Sequence, residues 1–139
     1  MDDLEKAKKI LKDRDLSLVI VKDGAAIFCS DSSGVHGILQ AIRKLDGRLS
    51  GASVADKVVG KAAALLFAYA HVLQIYAVIL SEKGLSVLRR NNISVEYDLL
   101  VPEILDLSDE DITLRLEMLV RAYDPCISCS THYLDVKFV

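Results

Sequence analysis

The residues best suited to metal chemistry lie near the end of the chain. Cys126, Cys129 and His132 are spaced three positions apart in the stretch Asp-Pro-Cys-Ile-Ser-Cys-Ser-Thr-His. Two thiolates in a C-x-x-C loop can converge on one soft metal ion, and an imidazole is a frequent further ligand. The same two thiols can instead act as a redox dithiol. The spacing therefore predicts either a zinc or nickel site at these three residues or a dithiol.

A second group of polar residues lies near the middle of the chain. We expect a helix to begin at about Asp56, where the backbone N–H groups of its first turn are free to bind an anion. Lys57 and Lys61 add positive charge on one helix face at i, i+4 spacing. Ser53, Asp56, Lys57 and Lys61 are therefore the predicted binding residues for a nucleotide or another small anion.

This middle stretch lacks the pattern of a phosphate-binding Walker A loop. The position five before Gly60 is Ala55, and Lys61 is followed by Ala62 rather than Ser or Thr. A lysine face in water, with Gly60 allowing close contact between helix and sheet, explains the same residues without a ligand. Both interpretations stay open.

The composition favours one compact domain in a reducing compartment. The chain has 139 residues and is 52% hydrophobic, which suits a single hydrophobic core. A chain with a formal net charge of -3 has little electrostatic attraction for the phosphates of a nucleic acid. Three cysteines, an odd number, argue against a secreted disulfide framework. We expect a cytoplasmic protein that binds no nucleic acid.

The apolar stretch 62–80 is long enough to cross a bilayer. Its composition changes at His71, from Ala- and Leu-rich before it to Ile, Tyr and Val after it. This change is typical of a helix followed by a buried strand. The first five residues include three acidic side chains, which is the wrong charge for a signal peptide. We therefore expect no association with a membrane.

Hydrophobic spacing predicts helices that alternate with strands. The predicted elements in chain order are a helix over the first dozen residues, strands 16–22 and 25–30 joined at Asp23-Gly24, a helix capped by Ser32 or Ser33 and ended by Gly47, a strand 52–55, a helix 56–70, a strand 75–80, a helix 82–90 capped by Ser81, and a strand 93–100. Strands separated by single helices become parallel neighbours in a sheet covered by helices. A further amphipathic helix is predicted from Ser108 to about residue 121.

Three stretches of this pattern resemble a known family. The strings GASVADKVVGKAAALLFAY, IYAVILSEKGLSVL and ISVEYDLLVPEIL resemble a domain-of-unknown-function family of small prokaryotic proteins with a cytidine-deaminase-like fold. The resemblance implies an α/β fold, a three-layer α/β/α sandwich around a mixed five-stranded sheet. It covers residues 1 to about 105, so we expect a deaminase-like domain over 1–105 and a helix with a cysteine-bearing tail over 106–139.

The chemistry of zinc deaminases makes a specific demand on the sequence. It needs a His or Cys ligand, a Glu two residues later, and a P-C-x-x-C pair further along. No residue two positions after any of the three histidines is acidic, and neither predicted helix start, at 56–57 or 82–84, carries the motif. The P-C-x-x-C of residues 125–129 follows the fifth predicted strand, too late in the topology. We expect a ligand-binding or protein-interaction module rather than a zinc deaminase.

The tail resembles a different protein class. The stretch V-R-A-Y-D-P-C-I-S-C-S-T-H resembles the C-terminal motif of nickel–iron hydrogenase large subunits. The resemblance implies that Cys126 is a terminal nickel ligand, that Cys129 bridges nickel and iron, and that a protease cuts after His132. The R-x-C-G-x-C motif that supplies the other two cysteines of that family does not occur in this sequence.

The chain alone is therefore not expected to be a complete hydrogenase. Its tail can be a fused remnant, act as an independent C-x-x-C site for nickel, iron or zinc, or complete a site whose other ligands come from a hydrogenase subunit. Cysteines without any metal are a fourth possibility. Partners that fit these alternatives are a second copy of the chain, a hydrogenase subunit, or a small anionic molecule such as a nucleotide.

Overall fold

A computed structural model describes residues 2–32 and 34–104 of the chain. Within these residues the chain forms four α-helices, five strands and one short 3-10 helix. In chain order the elements are α1 (Asp3–Asp13), β1 (Leu18–Lys22), β2 (Ala25–Ser30), α2 (His36–Leu45), the 3-10 helix (Asp46–Leu49), β3 (Ser53–Val59), α3 (Lys61–Tyr69), β4 (Gln74–Ser81), α4 (Glu82–Arg90) and β5 (Ser94–Val101).

The strands form one mixed sheet in the order β2-β1-β3-β4-β5. β1 is antiparallel to β2 and β3, whereas β3, β4 and β5 run parallel to one another. Asp23 and Gly24 join β1 to β2 with φ values of 52° and 80°, the left-handed conformation that a tight hairpin turn requires. The mixed five-stranded sheet predicted from the sequence is confirmed.

Helices cover both faces of this sheet. On one face, α2, α3 and α4 bury a large apolar cluster that includes Ile38, Leu66 and Leu88. On the other face, α1 buries Leu4, Ala7 and Leu11 against a smaller cluster. The arrangement is a three-layer sandwich, as expected. Burying these side chains is the main source of stability, at about 25 cal/mol for each Å² of apolar surface removed from water.

Tyr76 ties α1 to the parallel half of the sheet. Its buried ring lies 4.7 Å from the Lys8 ammonium and 5.4 Å from that of Lys12. Its hydroxyl donates a hydrogen bond to Asp98 Oδ2 at 2.5 Å, and Lys8 pairs with Glu96 on the same strand, β5. Burial, together with the hydrogen bond to Asp98, raises the pKa of Tyr76 above its usual value.

The alternation of side chains is interrupted in all three parallel strands. Val54 and Val59 of β3 belong to the same apolar cluster, and so do Ala77 and Leu80 of β4. Val95 and Leu100 of β5 both pack against that cluster. Residues an odd number of positions apart point to opposite faces of a regular strand. The alternation is therefore broken between residues 54 and 59 of β3, between 77 and 80 of β4, and between 95 and 100 of β5.

Two predicted boundaries are wrong. β3 continues through Asp56 and Lys57, and α3 begins only at Lys61, because the ladder between β3 and β4 extends to the pair Val59 and Leu80. The β-branched valines at 58–59 favour the strand, and Gly60 is where the chain turns.

The start of α2 also differs from the prediction. Its N-cap is Val35, which makes no side-chain cap hydrogen bond. Ser32 therefore does not cap the helix, and its N–H donates to the Ser30 hydroxyl at 3.0 Å; Ser33 lies outside the described residues. Gly47 falls within the 3-10 helix that follows Leu45.

The apolar stretch 62–80 forms α3 and most of β4, as the change of composition at His71 predicted. Among the described residues, no helix is both long enough and apolar enough to cross a membrane. The helix predicted from Ser108, and Cys126, Cys129 and His132 beyond it, lie outside the described residues.

Ser81 caps α4, as the sequence predicted. Its buried hydroxyl accepts a hydrogen bond from the Gly84 N–H at 2.9 Å. We expect Ser81→Ala to lower the free energy of unfolding by about 1 kcal/mol, because it leaves this N–H unpaired. Ser86→Ala, on the exposed side of the same helix, should change it by less than about 0.5 kcal/mol. Urea unfolding measures both, and equal effects would contradict the assignment.

Candidate functional site

Two helix starts meet at the carboxyl end of β3 and β4. α3 follows Gly60 and α4 follows Ser81. A Cβ atom placed on Gly84 would lie 3.1 Å from the Gly60 carbonyl oxygen and 3.2 Å from that of Val59. Only glycine permits this approach without a shift of the neighbouring backbone. The first turn of α4 therefore packs directly on the end of β3.

The residues at these helix starts do not fit the zinc of a deaminase. The first start consists of Gly60, Lys61 and Ala62, rather than residues 56–57 as predicted, and the second is Glu82-Lys83-Gly84, as predicted. Neither offers a thiol or an imidazole, and each carries a lysine that repels a cation. Within residues 2–32 and 34–104, no three His, Cys, Asp or Glu side chains are grouped to hold a metal ion.

The structure separates the four binding residues predicted from the middle of the chain. Ser53 begins β3, where its buried hydroxyl accepts a hydrogen bond from Gln74 Nε2 at 2.8 Å. Lys57 pairs with Asp15 at 2.8 Å, and Lys61 is the first residue of α3. Ser53 and Lys61 lie at opposite ends of a strand about 20 Å long. The shared helix face that motivated this site does not exist, and ligand binding by these residues stays a prediction.

Asp56 is the one buried carboxyl group among the described residues. Its register partners Leu18 and Ala77 both belong to the larger apolar cluster, so the carboxyl faces the core under α2, α3 and α4. It accepts the N–H of Val58 at 3.3 Å and that of Lys57. Burial raises the pKa of Asp56 to about 8, although these two hydrogen bonds act in the opposite direction.

This pKa makes stability depend on pH in a definite direction. The Asp56 carboxyl ionises near 3.8 in the unfolded chain and near 8 in the folded protein, so between these values the folded state binds the extra proton. The free energy of unfolding therefore falls as the pH rises through this window, by up to about 1.4 kcal/mol per pH unit. Asp56→Asn removes this dependence and should gain stability relative to the wild type as the pH rises.

Urea unfolding of both proteins at about pH 5 and about pH 7 measures the effect. Asp15→Asn is the matched control, because the hydrogen bond and charge of Lys57 keep the pKa of this exposed carboxyl below its usual value. A difference between Asp56→Asn and the wild type that stays constant with pH would contradict the buried, protonated carboxyl.

A groove of about 470 Å³ lies between the edge strand β2 and α2. Ligand sites commonly measure about 300 to 1,000 Å³. The β2 side is lined by Phe28, Cys29 and Ser30, which are half-buried. The α2 side is lined by three exposed residues of one helix face, at i, i+3 and i+4 spacing: Gln40, Arg43 and Lys44.

The charge of this groove is positive and unopposed. No carboxylate lines it, and neither Arg43 nor Lys44 forms an ion pair within the described part of the chain. A guanidinium, an ammonium and a primary amide on one wall, with an aromatic ring on the other, suit a ligand that carries both a phosphate and a flat ring. Arg43 and Lys44 also interact favourably with the C-terminal end of α2.

A second groove of about 470 Å³ lies beside α1 and is less suited to an anion. Asp13 lines it together with Lys6, Lys9 and Arg14, so its cations are partly neutralised. The ammonium of Lys6 is also engaged with the carbonyl oxygen of Gly24. The groove between β2 and α2 is therefore the better candidate site.

Sequence reasoning missed this groove. Gln40, Arg43 and Lys44 form the polar face of an amphipathic helix, which by itself is ordinary. The one sequence signal for a binding surface was that this face of α2 is polar, carries no acidic residue and follows the hairpin. The position of Phe28 opposite this helix face could not be predicted, because the sequence does not show which strand of the hairpin forms the edge of the sheet.

Comparison with known proteins decides the family. The family model described as TM1506, domain of unknown function (DUF1893), matches residues 6–129. The crystal structure of TM1506 from Thermotoga maritima is 30% identical to this chain, covers 88% of each chain, and superposes with a TM-score of 0.72. The chain belongs to the DUF1893 family. The match extends past residue 105 and includes Cys126 and Cys129 of this DUF1893 chain.

More distant structures share the fold of this DUF1893 protein. RibD from Acinetobacter baumannii is 18% identical with a TM-score of 0.51, over 83% of this chain and 37% of that one. The dCMP deaminase of cyanophage S-TIM5 is 16% identical with a TM-score of 0.50, over 68% of this chain and 93% of that one. The deaminase-like fold predicted from the sequence is confirmed.

Short matches link the tail of the DUF1893 chain to hydrogenases. It is 59% identical over 29 residues to the alpha subunit of sulfhydrogenase 2 from Pyrococcus furiosus. It is 56% identical over 27 residues to one subunit of the F420-non-reducing hydrogenase from Methanothermobacter marburgensis. The matches cover 21% and 19% of this chain, and only 7% and 6% of the length of those two relatives.

Proposed function

We propose that this DUF1893 protein is a cytoplasmic binding module that holds a phosphate-bearing small molecule, such as a nucleotide, in the groove between β2 and α2. The observation that carries the proposal is the pair Arg43 and Lys44, which faces a groove that no carboxylate of the described residues lines. The proposal involves no deaminase step, because the helix starts at Gly60 and Ser81 carry no ligand for a catalytic zinc.

Each groove residue has a distinct part in this proposal. The planar guanidinium of Arg43 forms two parallel hydrogen bonds to a phosphate, and Lys44 adds a compact positive charge. The amide of Gln40 and the hydroxyl of Ser30 hydrogen-bond to sugar or base groups. Phe28, a half-buried residue that also packs against the larger apolar cluster, provides an aromatic ring on which a base can stack.

Charge reversal on α2 tests this function. We expect R43E/K44E to weaken the binding of AMP and of inorganic phosphate at least tenfold, because two charge-assisted contacts are lost and repulsion replaces them. Phe28→Leu should weaken the binding of AMP and leave that of phosphate unchanged. Isothermal titration calorimetry of the full chain measures each affinity.

The matched control is R89E/R90E. Arg89 and Arg90 are also two adjacent exposed basic residues in the last turn of a helix, α4, and they do not line the groove. Their reversal has the same effect on net charge and on the helix dipole, so it should change the affinities less than twofold. No binding of either probe by the wild type, or equal losses in both double variants, would overturn the proposal.

As a second function we propose that the tail binds nickel, iron or zinc through Cys126 and Cys129, with His132 as a further ligand. The hydrogenase match at 59% identity over 29 residues supports this proposal. Since the sequence supplies one cysteine pair only, a hydrogenase-like partner provides the remaining ligands of any dinuclear site. The proposal concerns metal binding by the tail and includes no turnover of hydrogen by this chain alone.

Metal analysis of the full chain tests the second function. After reduction and loading with nickel, iron or zinc salts, we expect about one ion per wild-type chain and a loss of this ion in C126S/C129S. Cys29→Ser is the matched control, because Cys29 is a half-buried thiol of β2, and it should retain the metal. Equal metal content in the three proteins, or none in the wild type, would contradict the proposal.

A further inference from the structure

An apolar row crosses the three parallel strands near their carboxyl ends. Val58 of β3, Ile79 of β4 and Leu99 of β5 are register partners. The exposed fraction is 43% for Val58 and 53% for Leu99, and Ile79 is half-buried. We call these three residues the apolar row. Apolar side chains left this open across neighbouring strands form a contiguous patch to which another segment or molecule can bind.

The apolar row faces the same side of the sheet as α1. The cluster under α2, α3 and α4 takes up the next residues along, Val59 and Leu80, while Leu100 packs against it. Val58, Ile79 and Leu99 neither belong to that cluster nor pack against it, so the row lies on the opposite face of the sheet. α1 packs on β1, β3 and β4, and its Lys8 pairs with Glu96 in the first half of β5. Among the described helices, none lies over the carboxyl ends of the strands on this face.

The chain after β5 returns to this region. Ile104 lies beside Gly60, with side-chain atoms 3.8 Å from the position of a Cβ on that glycine. Gly60 follows Val58 by two residues, a distance of about 7 Å along an extended strand. Two or three further residues after Ile104 are therefore long enough to reach the apolar row.

The sequence that follows has the pattern needed to cover such a row. In the helix predicted from Ser108, the residues Ile112, Leu116, Leu119 and Val120 recur at i, i+4, i+7 and i+8 and form one apolar stripe. Fourteen helical residues span about 21 Å, more than the roughly 10 Å between β3 and β5.

We propose that the helix predicted over residues 108–121 docks on the apolar row and completes the α1 side of the sandwich. The occupant is this segment of the same chain because the described chain ends at Ile104, beside Gly60 and two residues along the strand from Val58, and continues with a matching apolar stripe. The docked helix anchors residues 122–132, and with them the Cys126 and Cys129 pair, to the carboxyl end of the sheet. This inference is independent of the proposed anion groove, which lies at the opposite edge.

A photocrosslinker tests the contact directly. With p-benzoylphenylalanine in place of Leu99 in the full chain at dilute concentration, we expect crosslinks within one chain to peptides of 105–121, identified by mass spectrometry. The matched position is Leu73, which is 59% exposed and precedes the opposite end of β4, and which should give no such crosslink. Crosslinks that join two chains would overturn the proposal in favour of a dimer, and a lack of crosslinks to 105–121 would also overturn it.

Hydrogen exchange on point variants gives a second readout. We expect Leu99→Asp to increase the exchange rate of amides in 108–121 at least tenfold, because a charge in the row disfavours docking. Leu73→Asp introduces the same charge elsewhere and should leave these rates unchanged. Equal rates in the wild type and both variants would contradict docking on the row.

Discussion

The close contact between Gly84 and the carbonyl oxygens of Val59 and Gly60 determines how the starts of α3 and α4 pack on the sheet. It lets the first turn of α4 rest on the end of β3, beside the start of α3. Two helix starts and two strand ends are thereby packed against one another with lysines at both helix starts. In a zinc deaminase the corresponding helices carry thiol or imidazole ligands for the zinc and a carboxylate that transfers protons. Here backbone packing and two lysines stand in their place, and the surfaces that we propose for binding lie elsewhere on the fold.

The two edges of the sheet offer those surfaces, and they differ in kind. At the antiparallel edge, β2 and α2 enclose a positive groove with one aromatic ring. At the parallel edge, the row of Val58, Ile79 and Leu99 is apolar and adjoins the place where the chain continues towards its cysteine-bearing tail. The first surface suits a small anion and the second suits a helix. The same fold that carries deaminases among its distant structural neighbours can thus bind an anion at one edge of the sheet and a helix near the other.

Much of the fold could be predicted from local signals. Asp23-Gly24 identified the hairpin, Ser81 identified the start of α4, and the change of composition at His71 separated α3 from β4. The boundary at 56–60 could not be predicted in this way, because an Asp before Lys commonly starts a helix, whereas here tertiary pairing with β4 keeps Asp56 in a strand. That error also displaced the predicted anion site, since Lys57 and Lys61 share no helix. The groove depends on which strand forms the sheet edge, a property of topology rather than of local sequence.

The central claim is that anion binding has its place between β2 and α2 and not at the packed helix starts. Titration of the 15N-labelled full chain with AMP, followed through its backbone amide chemical shifts, distinguishes the two places in one experiment. The account predicts saturable shifts for residues 28–30 and 40–44, with residues 60–62 and 82–84 unmoved. Saturable shifts confined to 60–62 and 82–84 would contradict it and restore the helix starts as the binding site.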